Sequence, residues 1–97
     1  MDLAEFRASI GRTAPPVDLG AALQALWWDA KGDWSRAHEC AQAQEDAAGA
    51  WVHAYLHRKE GDAVNAGYWY RRAGKPASTQ PREMEWETIL ASLPMAE

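Results

Sequence analysis

The 97-residue chain has a single cysteine, Cys40, so an internal disulfide is impossible. A lone thiol fits a reducing compartment, and the expected location is cytoplasmic. No stretch approaches the ~20 apolar residues that a bilayer span requires. The N-terminal Met1-Asp2-Leu3-Ala4-Glu5 carries acids where a secretory leader needs a basic start and an apolar run. Period-two alternation is missing, so strands are not expected. The glycines stand singly at the ends of helical patterns, which excludes a glycine-rich phosphate loop, and neither His-Glu-x-x-His nor a serine-centred nucleophile motif occurs. Nothing amounts to a catalytic signature. The enzyme question stays open, inclining against one, and no cofactor is expected.

An excess of basic charge is also lacking. Ten Lys and Arg face 14 Asp and Glu, a net charge of −4. That is a poor footprint for tracking a phosphate backbone, so nucleic acid is an unlikely partner class. The charge is uneven: Arg58, Lys59, Arg71, Arg72 and Lys75 outnumber Glu60 and Asp62 between residues 51 and 77, whereas Glu83, Glu85, Glu87 and Glu97 outnumber Arg82 near the C-terminus. The simplest expectation is that these patches lie against each other or on solvated faces.

Six tryptophans (Trp27, Trp28, Trp34, Trp51, Trp69 and Trp86) are the chain's compositional excess. Each ring can bury roughly 150–250 Å², so a chain with few Leu, Ile or Val can build its core from them. All six are not expected to be fully buried in so small a domain.

The spacing predicts an all-α single domain. Asp2 with Glu5 opens a helix within 1–11, with Leu3, Phe6 and Ile10 on one stripe. Pro15-Pro16 mark 12–18 as a linker. Asp18 is the expected N-cap of the next helix, followed by Leu19, Ala22, Leu23, Leu26, Trp27 and Ala30. Gly32-Asp33 and Gly61-Asp62 each stop one helix and cap another, which makes two αα-hairpins over 19–76. A last helix over 80–94 carries Met84, Trp86, Ile89, Leu90 and Leu93 on its apolar side.

The hairpins repeat. An offset of 29 residues aligns Ala21 with Ala50, Ala25 with Ala54, Gly32-Asp33 with Gly61-Asp62, and Ala37 with Ala66. On Gly32-Asp33-Trp34-Ser35-Arg36-Ala37 and Gly61-Asp62-Ala63-Val64-Asn65-Ala66, the chain resembles the tetratricopeptide class of helical repeats. Ala66, Trp69, Tyr70, Arg72 and Ala73 are similar to the second-helix pattern of its Sel-one-like variant, although the period is shorter than 34 residues and Ala41 replaces the aromatic of the second repeat. The string from Trp51 to Asp62, with Tyr68 to Gly74, is also similar to a group of small bacterial proteins of unknown function. This resemblance implies a bacterial origin and no mechanism. Two repeats are fewer than a solenoid normally needs, so the terminal helices must cover the open faces, or a homodimer must.

Two functional readings follow. The first is a protein- or peptide-interaction module, using Trp51, Tyr55, Arg58, Trp69 and Arg72. The second is a small-ligand or metal site on His53 and His57, which at four residues apart share one helical face. The third ligand of such a site would come from Asp46, Glu60 or His38. The repeat register points His53 and His57 at a partner helix and Trp51, Tyr55 and Arg58 into a groove. The hydrophobic pattern puts Trp51 and Tyr55 in the core. Both hold if a flanking helix fills the groove. Tyr68-Trp69-Tyr70 spread over too much circumference for one face, and with Arg71 and Arg72 they could clamp a carboxylate or stack on a base. Cys40 and His38 are two residues apart on a helix and do not face each other, so Cys40 reads as a small core residue.

Overall fold

The computed structural model describes residues 1–95. Glu97, counted above among the C-terminal acids, lies outside the described residues. Those residues form six helices and no strand: α1 (Leu3–Ser9), α2 (Ala21–Ala30), α3 (Trp34–Ala43), α4 (Ala47–Glu60), α5 (Ala63–Ala73) and α6 (Arg82–Ser92). Among them no helix is long and apolar enough to cross a membrane.

Both Gly-Asp pairs act as their chemistry demands. Gly32 and Gly61 take positive φ, a region that costs glycine nothing. The Asp33 carboxylate then accepts from the Arg36 N–H and that of Asp62 from the Asn65 N–H, each capping a helix start. α2 therefore folds back on α3, and α4 on α5.

The start of α2 departs from the sequence reading. It begins after Gly20 rather than Asp18, and no side chain of its own caps it. The Gln44 side chain, from the end of α3, accepts from the Ala22 N–H at 2.8 Å. A cap supplied from 22 residues away cannot be read from local sequence. Gln44 also donates to Asp46, whose carboxylate caps α4 at the Gly49 N–H. This turn is so tight that a Cβ at Gly49 would collide with the Gln44 carbonyl. Gly49→Ala is therefore expected to cost about 1–3 kcal/mol, read as a shift in the urea midpoint. An unchanged midpoint would show that the α3–α4 turn has room to spare.

The core gathers Phe6, Leu23, Leu26, Trp27, Val52, Leu56, Ile89 and Leu90, all nearly inaccessible to solvent. α6 lies across α4 and α2, filling the face that two hairpins alone would leave open. This resolves the two registers. Tyr55 is buried on the side of α4 toward α2 and α6, and His53 and His57 are buried on the side toward α3 and α5. α4 is enclosed along almost its whole length.

The tryptophans divide as their number required. Trp27 is fully buried, Trp86 nearly so, and Trp28, Trp34, Trp51 and Trp69 are half-buried. The Trp27 indole N–H donates to Ser9 Oγ, that of Trp34 to the Leu56 carbonyl, and that of Trp86 to the Leu26 carbonyl. Each polar edge thus keeps a partner when its ring leaves water.

Two stripes shift. Leu3 is exposed, so α1 is anchored by Phe6 instead. On α6, Met84 is exposed and Glu85 takes the buried place at 1% exposure. The Glu85 carboxylate accepts from Arg58 Nη1 at 2.8 Å and from the Tyr70 hydroxyl at 2.5 Å. The second Arg58 nitrogen donates to the Gln80 carbonyl. The basic segment does meet the acidic C-terminal region here, in the interior.

Tyr55 and Tyr70 both donate to carboxylates, those of Asp29 and Glu85, and burial foremost raises both phenols well above their ordinary range. The unfolded chain loses these protons near pH 10, the folded chain only at higher pH. The stabilisation is therefore complete below about pH 10 and falls as pH rises beyond it. Phenolate absorbance from these two residues is expected to appear together with loss of the helical circular dichroism. Its appearance in a protein that stays helical would contradict the packing.

Candidate functional site

α3 and α4 run on either side of the 44–46 turn. His38 precedes the 45–46 peptide bond by as many residues as His53 follows it, and Trp34 and His57 stand in the same mirror relation. Equidistant residues of two helices joined by a tight turn face each other. His38 therefore meets His53, with Nε2 to Nε2 at 2.9 Å and ring centroids at 4.5 Å. Trp34 meets His57 edge-on at 5.9 Å.

Helical spacing adds the rest. His57 lies one turn beyond His53, the two rings nearly parallel at 4.9 Å. Trp34 stacks on His38 at 4.9 Å from one turn earlier in α3. Trp69 of α5 stacks on His53 at 3.8 Å. Three imidazoles are thus packed between two indoles, and one ring-nitrogen donor from each lies within 4.8 Å of the others. His53 and His57 are buried at 3% and 6% exposure, whereas His38 is half-buried at the rim.

The protonation states suit ligation. Burial, then the neighbouring His38 and His57, pushes the His53 pKa down to about 4. Burial also lowers that of His38. At neutral pH both rings are uncharged, the form that carries a lone pair for a metal. With both rings uncharged, one of the two facing nitrogens donates its proton to the other. The Glu60 carboxylate reaches His57 Nδ1 at 3.0 Å. A carboxylate holding Nδ1–H fixes the tautomer that leaves Nε2 as a donor, an arrangement common behind metal-bound histidines.

Of the three candidates for a third ligand, the structure brings His38 to the pair. Glu60 stands behind His57, and Asp46 is consumed as the cap of α4. The mirror relation about the turn was the signal in the sequence that selects His38.

The five residues read as a binding surface are not gathered on one face. Tyr55 is a correction: it is buried, and its hydroxyl donates to Asp29, which also holds Lys59 at 2.8 Å. Arg58 is turned inward onto Glu85. Trp51 is half-buried, with the Lys75 ammonium 4.3 Å above its ring. Only Trp69 and Arg72 stand together, beside His53, with the Arg72 guanidinium 5.0 Å over the Trp69 ring. Tyr68 is the exposed member of its triplet and Tyr70 the buried one. Cys40 is half-buried, and burial, with Glu39 beside it, raises its thiol pKa, which disfavours the thiolate form.

Comparison with protein-family models, with curated proteins and with solved structures finds no match to this chain.

Proposed function

We propose that the protein binds a divalent transition-metal ion, of the Zn²⁺ type, through His38, His53 and His57, with Glu60 orienting His57. The observation that carries this reading is the convergence of three imidazoles, whose donor atoms lie within 4.8 Å of one another. A tetrahedral ion with Zn–N bonds of about 2.0–2.1 Å holds its nitrogens a little over 3 Å apart, so modest ring movements suffice. An all-imidazole set favours late first-row ions over Mg²⁺ or Ca²⁺, which prefer oxygen. Burial against Trp34 and Trp69 limits the rings' freedom, so little ordering is left for the binding event.

An ion that binds only the folded chain stabilises it, by about 2.7 kcal/mol at a free concentration 100 times Kd. For a domain of this size each kcal/mol raises Tm by about 4–8 °C. Zn²⁺ is therefore expected to raise Tm by ~10–20 °C under those conditions, reversibly on chelation, and Mg²⁺ to leave it unchanged. Equal shifts with Mg²⁺, or none with Zn²⁺, would remove the reading.

A second reading keeps the interaction module at a different place. A groove of about 450 Å³ runs between Trp51, Lys75, Pro76, Gln80 and Thr88. It has a tryptophan wall suited to an extended peptide. Its test is a pull-down at low salt in which a retained protein is lost with a folded Trp51→Ala variant. Retention by that variant would remove Trp51 from the contact.

A further inference from the structure

The proposed centre has three protein donors, and among the described residues no fourth His, Cys, Asp or Glu joins the cluster of His38, His53 and His57. Structural zinc sites close four positions with protein side chains, whereas sites with three leave one for an exchangeable ligand. What lies beside that position is therefore informative.

The His53 ring has two neighbourhoods. It belongs to the cluster, and, alone of the three histidines, His53 also lines a cavity of about 330 Å³ between α3, α4 and α5. That volume suits a small molecule, at the lower end of the usual range for ligand pockets. The other walls include Gln42, Glu45, Asp46, Trp69 and Arg72.

Arg72 is the unusual member. Its guanidinium lies over Trp69 and 5.7 Å from the centre of the Tyr68 ring, and it donates to the Tyr68 hydroxyl at 3.0 Å. Like Arg12, Arg71 and Arg82, it has no carboxylate partner among the described residues, whereas Arg7, Arg36 and Arg58 each have one. Aromatic faces and one hydroxyl thus hold it in place and leave donors free.

Resting on the metal reading, we infer that the ion takes a small monocarboxylate from solution as its fourth ligand, and that Arg72 is the second anchor of that carboxylate. Three neutral imidazoles leave the ion's double charge uncompensated apart from Glu60 behind His57, so an anionic donor is electrostatically preferred. A guanidinium matches a carboxylate in shape and charge. Glu45 and Asp46 on the wall oppose a second negative group, which favours a single carboxylate over a polyanion. A volume at the lower end of the usual range favours a short acid over a longer chain trailing behind its carboxylate.

The experiment uses the full chain loaded with Co²⁺, whose visible absorption reports coordination, and titrates it with acetate and separately with triglycine. Saturable change in the Co²⁺ bands with acetate is expected, with half-saturation at least 10-fold higher in Arg72→Gln and in wild type with triglycine. Each protein's own acetate-free spectrum is the reference. Failure of Co²⁺ to bind would overturn the metal reading and this inference with it. Bound Co²⁺ whose bands ignore acetate would overturn the inference alone. Equal half-saturation in wild type and Arg72→Gln would remove the Arg72 anchor. Triglycine matching or exceeding acetate would assign the site to a chain end instead of a free acid.

Discussion

His53→Ala and His38→Ala are each expected to weaken Zn²⁺ binding by more than about 100-fold, and Glu60→Gln by roughly 10–100-fold. The ordering follows from position. His53 touches both other imidazoles, at ring-centroid distances of 4.5 and 4.9 Å, and removing it leaves two donors on different helices. Glu60 touches only His57 Nδ1, so its loss frees the ring to reorient without deleting a donor. His53 is buried against Trp69 and its truncation leaves a cavity, so His38→Ala, at the half-buried rim, is the cleaner variant. A competition titration against a chromophoric chelator, with helical content checked by circular dichroism, reads all three. Equal affinity in wild type and His38→Ala, both folded, would exclude His38 as a ligand.

Arg58→Met is expected to cost about 3–5 kcal/mol of stability, because it leaves a buried carboxylate without its counter-ion. Total stability for a domain of this size is about 5–15 kcal/mol, so the variant approaches the limit of folding. Glu85 is 1% exposed and keeps only the Tyr70 hydroxyl once the guanidinium is gone. The Gln80 carbonyl loses its donor as well, which loosens the approach to α6. The double variant Arg58→Met with Glu85→Leu removes both charges and is expected to recover much of the loss, since a buried pair is seldom better than an apolar replacement. Urea unfolding of the four proteins of the cycle gives the coupling. A loss under about 1 kcal/mol for Arg58→Met would mean that Glu85 reaches water in solution.

These two residues mark the boundary of what local sequence encodes. The helices and both Gly-Asp turns were legible because each depends on contacts within four residues, such as Asp33 with Arg36 and Asp62 with Asn65. The exchange of Met84 for Glu85 on the buried side of α6 was not. It depends on Arg58 and Tyr70, which lie 27 and 15 residues away. The start of α2 failed for the same reason, since Gln44 supplies its cap across 22 residues.

The candidate site was half legible. His53 and His57 stand out by helical spacing alone, and His38 was one of three possible completions. The choice among them needed the α3–α4 turn, which places His38 opposite His53 and consumes Asp46 as a cap. The indole walls were hidden for a further reason. Trp34 and Trp69 look like core residues by pattern, and each is half-buried against a histidine instead. The groove reading of Tyr55 and Arg58 depended on where α6 would lie, which no local pattern determines.

The chain contains only three histidines, so its imidazole nitrogen spectrum has three sets of signals and no others. The most direct measurement is long-range ¹H–¹⁵N correlation of these imidazoles, in tag-free protein, during titration with Zn²⁺. All three rings are predicted to shift together and to saturate at one ion per chain, each with one nitrogen moving to the metal-bound range. Signals that stay in place through one equivalent, or a shift confined to His57 beside Glu60, would contradict the three-histidine centre.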